Sequence, residues 1–414
     1  MAQIKDENQS KQQQKENETL NKNKLKKVVY TLKPALMLEN WFGLFRFSIV
    51  NEEELVPPNA KLKIFGVILS IFFIVMFAVF VDFPDTETES IMELMDEVPS
   101  MVVLSQYFIA SITTSSCLSA IAIRIFETFA DLDSMLLITT TQDFYNKSRY
   151  QTNKYLIILG VSHIISSTLD LLTDDEIVWC KFFVLPIYFL QKLEVLTFCK
   201  LIVMIQCRLQ IINKYLTNFI EEQEKNKALV FTLAESNPKK TDKFNWIGCP
   251  SPNNMKIRDL ATMYDVIGTI CSLINDLFNI QIFMTLVSTF TYIVIAIWST
   301  LYFYRAPNFT FGTLTTIIIW CITIILSVVV MSFVCERLVS VRNNTKILVN
   351  KVIMNYDLPK TMRVQAKAFM ELIESWPLKI MVYDMFSVDI SLMLKFISVA
   401  TTYLIVIIQL SHFV

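Results

Sequence analysis

Glycine is scarce in this chain of 414 residues, with six in all, against roughly 7% in average proteins. That scarcity excludes glycine-loop nucleotide folds, β-propellers and collagen-like repeats. Histidine is scarcer still, at two (His163 and His412), and the eight cysteines show no CxxC or other metal-binding spacing. No metal site or cofactor is expected, and thiols lying in apolar stretches behave as small hydrophobes. The sequence contains no GxSxG, HExxH, Walker or dinucleotide string, so enzyme chemistry has no visible carrier and a non-enzyme is expected. Charge of one sign does not accumulate either. The 37 Lys+Arg balance 38 Asp+Glu to a net charge of −1, and nothing in that balance points to nucleic acid.

What the chain has in quantity is apolar surface. Hydrophobic residues make up 53% and charged residues 18%, with a mean hydropathy of +0.46. A bilayer core of about 30 Å needs roughly 20 mostly apolar residues per helix. Charge-free runs of that kind cover Ile64 to Val81, Val98 to Ile123, Leu277 to Tyr304, Ala306 to Cys335 and Phe396 to Val414. Two weaker runs complete a set of seven: Tyr155 to Leu172, which contains Asp170, and Ile177 to Phe198, interrupted by Lys181, Lys192 and Glu194. The expected class is therefore an all-α membrane protein with seven transmembrane helices, in contact with membrane lipid.

The charged residues orient this set. With the N-terminus inside, every Lys and Arg except Lys181, Lys192 and Arg305 falls in a cytoplasmic segment, as the positive-inside rule demands. The first outer connection is acidic instead, with Asp82, Asp85, Glu87, Glu89, Glu93, Asp96 and Glu97. The expected orientation is N-terminus inside and C-terminus outside, the reverse of a G-protein-coupled receptor. Residues 1–27 are rich in Gln, Asn and Lys and read as a disordered cytoplasmic tail. A sequon at Asn308-Phe309-Thr310 lies in an outer connection, so Asn308 is a glycosylation candidate.

Between spans, the cytoplasmic segments keep helical periodicity. The N-terminal membrane region of spans 1–4 covers residues 28–198. Residues 199–276 and 336–395 then carry apolar stripes such as Leu260, Met263, Ile267, Ile270 and Ile274, or Leu338, Val341, Leu348 and Val352. A stripe in water must be buried, and a cytoplasmic helical anchor bundle is the expected solution. The proline-bearing stretch from Glu221 to Met255 reads as a loop. Spans 5 and 6 occupy 277–335 and the last span 396–414.

That last span is unusual. Ser398, Thr402, Ile405, Gln409 and His412 follow steps of four, three, four and three, which places them on one stripe of a helix. Polar groups facing lipid are costly, so such a stripe faces protein or water. Two readings stay open: hydroxyls and amides bonded to neighbouring helices, or a pore lining in which Ile405 is a hydrophobic constriction. One helix cannot enclose a pore, and the second reading requires a symmetric ring of subunits.

The string Thr402-Tyr403-Leu404-Ile405-Val406-Ile407-Ile408-Gln409-Leu410 resembles the Thr-Tyr, five hydrophobics, Gln signature of insect gustatory receptors, with Leu410 where the family usually has Phe. Upstream, Phe386, Asp389 and Leu392 resemble the family's Phe-x-x-Asp-x-x-Leu stretch. Cys335-Glu336-Arg337 is similar in kind. The resemblance implies a ligand-gated, non-selective channel for monovalent and divalent cations. It implies assembly as a homotetramer or as a heterotetramer with related subunits, in the plasma membrane of sensory neurons. It also implies that Thr402, Tyr403 and Gln409 form the gating motif and that the cytoplasmic bundle joins the subunits.

A ligand pocket is expected in the outer halves of the spans. The candidates are Gln106, Tyr107, Ser111, Ser167, Asp170, Trp179, Phe183, Tyr188, Trp298, Tyr302 and Trp320, since aromatic walls with a few polar groups suit a small organic ligand. Ser166, Tyr292, Phe311 and Thr315 lie at similar depth, and aromatic residues also gather at membrane interfaces without any ligand. Lys192 and Glu194 point to different faces of one helix, so each needs a partner on another helix or an aqueous cavity. They are candidates for the pocket floor or for the coupling path, alongside His163. A bitter or plant-derived tastant is expected, with a sugar as the alternative. A seven-span receptor without a pore, or a carrier, is the competing class, although no internal repeat of the kind carriers show is visible.

Overall fold

The protein is described here by a computed structural model that covers residues 24–50, 54–81, 87–116, 118–138, 142–173, 179–236, 252–305 and 311–413. A first helix, α1, occupies 24–41. A short antiparallel hairpin follows, β1 (Ser48–Val50) with β2 (Glu54–Val56), in which Ile49 lies opposite Leu55. Then come α2 (Ala60–Phe80), α3 (Glu87–Ser116), α4 (Ser119–Met135), α5 (Gln142–Thr173), α6 (Trp179–Ser236), α7 (Pro252–Arg305), α8 (Phe311–Met354) and α9 (Lys360–Ser375). A second hairpin, β3 (Met381–Val382) with β4 (Phe386–Ser387), leads into α10 (Ile390–Phe413).

Among the described residues, five helices are long and apolar enough to cross a membrane, or six if α3 and α4 count as one broken span. Three differences from the sequence reading concern helix ends. Residues 221–236 and 252–255, read as part of a loop, instead extend α6 and open α7. Lys24 to Lys27, placed in a disordered tail by composition, begin α1, because Val28, Val29, Leu32 and Leu36 bury against the core and draw the preceding turn into the helix. Residues 98–123 are not one straight run either, since α3 and α4 meet at 69°. Thr113, Thr114, Ser115 and Ser116 precede that break, and the Thr113 hydroxyl donates back to the carbonyl of Ile109 at 2.8 Å. Runs of such side chains offer the backbone alternatives to helix. Residues 1–23 and the sequon at Asn308 lie outside the described residues.

Helices α6, α7 and α8 have 58, 54 and 44 residues, well beyond the roughly 20 that a bilayer requires. Their overhanging halves pack with α1, α4 and α9 into one large core. Helix α9 shows why: Met362, Ala366, Phe369 and Ile373 recur at helical spacing and are all buried, while its other face is charged. The scarce glycines mark close approaches within this packing. Gly43 has a φ of 77°, and a Cβ on Gly66 would lie 2.3 Å from the Gly43 carbonyl oxygen. A Cβ on Gly268 of α7 would lie 2.5 Å from the Trp376 ring.

A second apolar core, built on Val103, Tyr107, Val184, Tyr188, Leu193 and Trp320, fills the other end of the bundle. Around it, large apolar side chains face outward: Ile64, Ile68 and Phe72 on α2, Ile157, Val161 and Ile164 on α5, and Ile318, Ile322 and Phe333 on α8. So much contiguous exposed apolar surface marks a lipid-facing belt.

Ion pairs lock the packed helices. Arg208 of α6, 1% exposed, donates from Nε and Nη2 to the two carboxylate oxygens of Asp133, 0% exposed, each at 2.7 Å. Tyr145 donates to the same carboxylate at 2.8 Å. Removing one partner leaves the other charge buried and uncompensated. Asp133→Asn is expected to destabilise the protein by about 3–5 kcal/mol, whereas Tyr145→Phe costs about 1 kcal/mol. Thermal unfolding midpoints of the purified variants in detergent check the order, and an Asp133→Asn midpoint equal to that of the parent would refute it.

The entry to α10 is fixed by Asp389. Its carboxylate accepts from the hydroxyls of Ser387 and Ser391 and, at 3.1 Å, from the amide of Leu392. Partial burial opposes ionisation, but these donors outweigh it and hold the carboxyl below its usual range. A depressed folded-state pKa gives stability that is complete above the usual carboxylate pKa, about 4, and is lost as pH falls through the lower folded value. Asp389→Ala is expected to cost about 1 kcal/mol and to speed amide exchange in the first turn of α10. In the parent the protection of those amides, relative to their intrinsic exchange rate at each pH, should stay flat from neutral pH to about 5 and fall only below the usual carboxylate range.

Candidate functional site

The end of the bundle where α3, α6 and α8 begin encloses a cavity of about 290 Å³. Its walls combine aromatic side chains (Tyr188, Tyr292, Trp320), apolar ones (Val184, Leu185, Ile295, Ile317) and polar ones (Glu97, Ser100, Asp170, Lys181, Ser299, Thr316). Each wall follows from helix register. On α6, Cys180, Lys181, Val184, Leu185 and Tyr188 recur at steps of three and four, and α7 contributes Tyr292, Ile295, Ala296 and Ser299 in the same way. The Tyr188 and Trp320 rings lie 5.3 Å apart, and Lys181 Nζ is 3.3 Å from Asp170 Oδ1.

Of the expected pocket residues, the structure brings together Asp170, Tyr188 and Trp320, with Tyr292 beside them. The others go elsewhere. Gln106 joins an inter-helix chain in which Gln191 Nε2 donates to Gln106 Oε1 at 2.9 Å and Gln106 Nε2 donates to Thr285 at 3.1 Å. Tyr107 donates to the carbonyl of Phe42 at 2.6 Å, and Ser111 is buried where α3 faces Gly66. Ser167 contacts His163. Phe183 stacks on Phe80 at 5.6 Å, Trp179 is exposed beside Phe182, and Trp298 lies outside the cavity lining. The side chain of Tyr302 is outside the described residues.

Lys192 and Glu194 of α6 each meet a side chain on another element. Lys192 Nζ lies 4.7 Å from the centroid of Trp320, a ring that lines the cavity. Glu194 faces Arg46 at 3.6 Å and accepts from Gln281, while Arg46 also binds Glu39 at 2.8 Å and Thr197 caps Glu39 at 2.5 Å. Glu97, Ser100, Lys181, Ser299 and Thr316 also line the cavity and are not among the pocket residues expected from the sequence. Their types were plain, but nothing in one helix reveals which neighbour it turns towards.

The second feature is α10. Phe396, Ala400 and Met393, with Thr289, Ile293 and Val328, line an apolar groove of about 190 Å³ between α7, α8 and α10. Phe290 of α7 meets the rings of Phe396 and Tyr403 at 6.1 and 5.4 Å. Ser398, Thr402, Ile405 and Gln409 occupy the opposite face and are all exposed. The side chain of His412 lies outside the described residues. Among the described residues no group of His, Cys, Asp and Glu could hold a metal ion.

No curated protein matches the sequence. Solved structures do match the fold. The insect olfactory receptor OR5 from Machilis hrabei superposes with a TM-score of 0.63 at 10% identity, over 92% of this chain and 97% of that one. The same receptor in complex with eugenol gives a TM-score of 0.55, at 10% identity and the same coverage. At that identity the likeness is one of fold. The sequence pattern described as 7tm chemosensory receptor matches residues 32–411, and with nearly the whole chain inside that match the protein belongs to the 7tm chemosensory receptor family.

Proposed function

We propose that the protein is a taste receptor: a cation channel gated by a small organic molecule, built as a ring of four subunits with α10 lining the central pore. The observation that carries this reading is the placement of the α10 stripe. Thr402 and Gln409 turn away from α7 and α8 of their own chain, on the face opposite Phe396, Ala400 and Tyr403. Polar groups there face either lipid, which is costly, or a water path shared with further copies. Ile405 between them supplies an apolar constriction that closes by dewetting.

The same reading places the N-terminus inside and the C-terminus outside, counts α10 as the seventh span, and locates the chain in the plasma membrane of a sensory neuron. Its ligand enters from outside into the 290 Å³ cavity. Three aromatic and several branched aliphatic walls favour a bitter or plant-derived compound over a sugar, whose many hydroxyls need a denser set of hydrogen-bonding partners. Eugenol, the compound held by the Machilis hrabei receptor, is a molecule of this general kind.

Whole-cell recording from cells expressing the chain, perfused with plant secondary compounds and with sugars, tests the proposal. Ligand-evoked inward cation current is expected, and Gln409→Ala is expected to change unitary conductance or ion selectivity without loss of surface protein. Evoked current that Gln409→Ala and Thr402→Ala leave untouched would place the pore elsewhere.

A further inference from the structure

Lys192 stands roughly 20 Å along α6 from its start at Trp179, at ~1.5 Å per residue, well inside the apolar part of the bundle. It is 6% exposed, and its Nζ has no hydrogen-bond partner among the described residues. No carboxylate answers the charge there either. Glu194, two residues on, turns to Arg46, and what Lys192 meets is the Trp320 ring, 4.7 Å away, with His163 on the same indole at 6.0 Å. An indole face returns part of what an ammonium loses on leaving water. The remainder calls for a counter-charge with hydrogen-bonding capacity.

Beside Lys192, a small cavity of about 10 Å³ lies between α6, α7 and α8. It has room for a single guest of about the size of a water molecule. Three hydroxyls line it with Lys192, those of Thr285, Thr289 and Ser327, and Gln191, whose Nε2 is bonded to Gln106, completes the polar lining. The Thr289 hydrogen is committed to the Thr285 carbonyl at 2.7 Å. The other two hydroxyls are not so bound. Thr285 accepts from Gln106 at 3.1 Å, and its own hydrogen meets no acceptor among the described residues. Ser327 donates to the Thr323 carbonyl at a long 3.3 Å, a bond weak enough to be exchanged for a better acceptor.

We infer that this cavity is a binding site for a small monovalent anion of halide size, held by the Lys192 ammonium and by the hydroxyls of Thr285 and Ser327. The anion supplies the missing counter-charge and accepts charge-assisted hydrogen bonds, which are the stronger kind. A water molecule in the same place would bond the ammonium and leave its charge unanswered. Phosphate or a carboxylate is too large for the space. Because the three donors stand on α6, α7 and α8, the ion also cross-links these helices.

The site is tested without any measurement of current, so its failure leaves the channel reading untouched. Purified full-length protein is held at neutral pH and constant ionic strength in sodium gluconate, and chloride or bromide replaces gluconate stepwise while the thermal unfolding midpoint is followed. Both halides are expected to raise the midpoint by about 2 °C or more, in a rise that saturates as binding to the native state does. Lys192→Met should abolish the rise, and Thr285→Val should shift its saturation to about fivefold higher halide. Equal midpoints in halide and gluconate would overturn the inference and leave water or a neutral amine at Lys192. A saturable rise that Lys192→Met retains would overturn it too, by placing the anion elsewhere. Should Lys192→Met fail to fold, Thr285→Val decides, and a halide dependence identical to that of the parent counts against the site.

Discussion

Everything in this bundle depends on pairing the polar groups of α6 across to other helices. Three knots do so. Near one end Arg208 takes Asp133 bidentately and Tyr145 completes the carboxylate. In the middle Glu194 and Thr197 meet Arg46, Glu39 and Gln281. Nearer the cavity Gln191 reaches Gln106, which reaches Thr285. Left unpaired in an apolar setting, any of these groups would cost more than a typical net hydrogen bond returns. Paired, they fix α1, α3, α4, α5 and α7 in register around a single helix. In its most apolar window α6 is 72% buried, against 17% for α2 and α5, as the axis of the bundle should be.

That role explains what the sequence showed and what it concealed. Helices α2 and α8 face lipid over much of their surface, so their apolar runs are long and free of charge and were legible at once. The stretch around Lys192 and Glu194 looked like a weaker span because charge broke it. In the fold it is the helix that touches lipid least, and a helix surrounded by protein can carry ionisable groups that a lipid-facing one cannot. The amphipathic stripes beyond the spans were equally legible, since Met362, Ala366, Phe369 and Ile373 keep their spacing whatever they pack against. Their partners were not, because periodicity gives a buried face without naming what buries it.

The cavity marks the same boundary. Asp170, Tyr188 and Trp320 stood out by type and depth and do line it. Gln106 and Tyr107 stood out equally, yet their turn of α3 faces Gln191 and Phe42. A rotation of part of a turn separates a cavity-lining side chain from one that bonds a neighbouring helix, and helix packing alone sets that rotation. Ser299 and Thr316 lay unremarked in apolar runs for the converse reason. Trp320 links the cavity to the core: it lines the open space beside Tyr188 and also meets Lys192 and His163.

Helix α10 contrasts with α6 in nearly every respect. Its start is held firmly, by Asp389 at its first turn and by the preceding hairpin, whose Met381 and Tyr383 amides donate to Asn275 and Asn279 of α7 at 2.9 Å each. Beyond that, one narrow apolar face touches α7 and α8, and Ile397, Val399, Ile405 and Val406 are exposed together with Thr402 and Gln409. A helix so placed draws little of its position from its own chain. What surrounds it decides where it sits, with lipid suiting Val399 and Val406 and water or further copies suiting Thr402 and Gln409. Anchored at one end and packed along one narrow face, it can shift at low energetic cost. Thr289 of α7 borders both the Lys192 side of the core and the α10 groove, so under the proposed function a rearrangement begun at Trp320 would have to cross only α7 to reach α10.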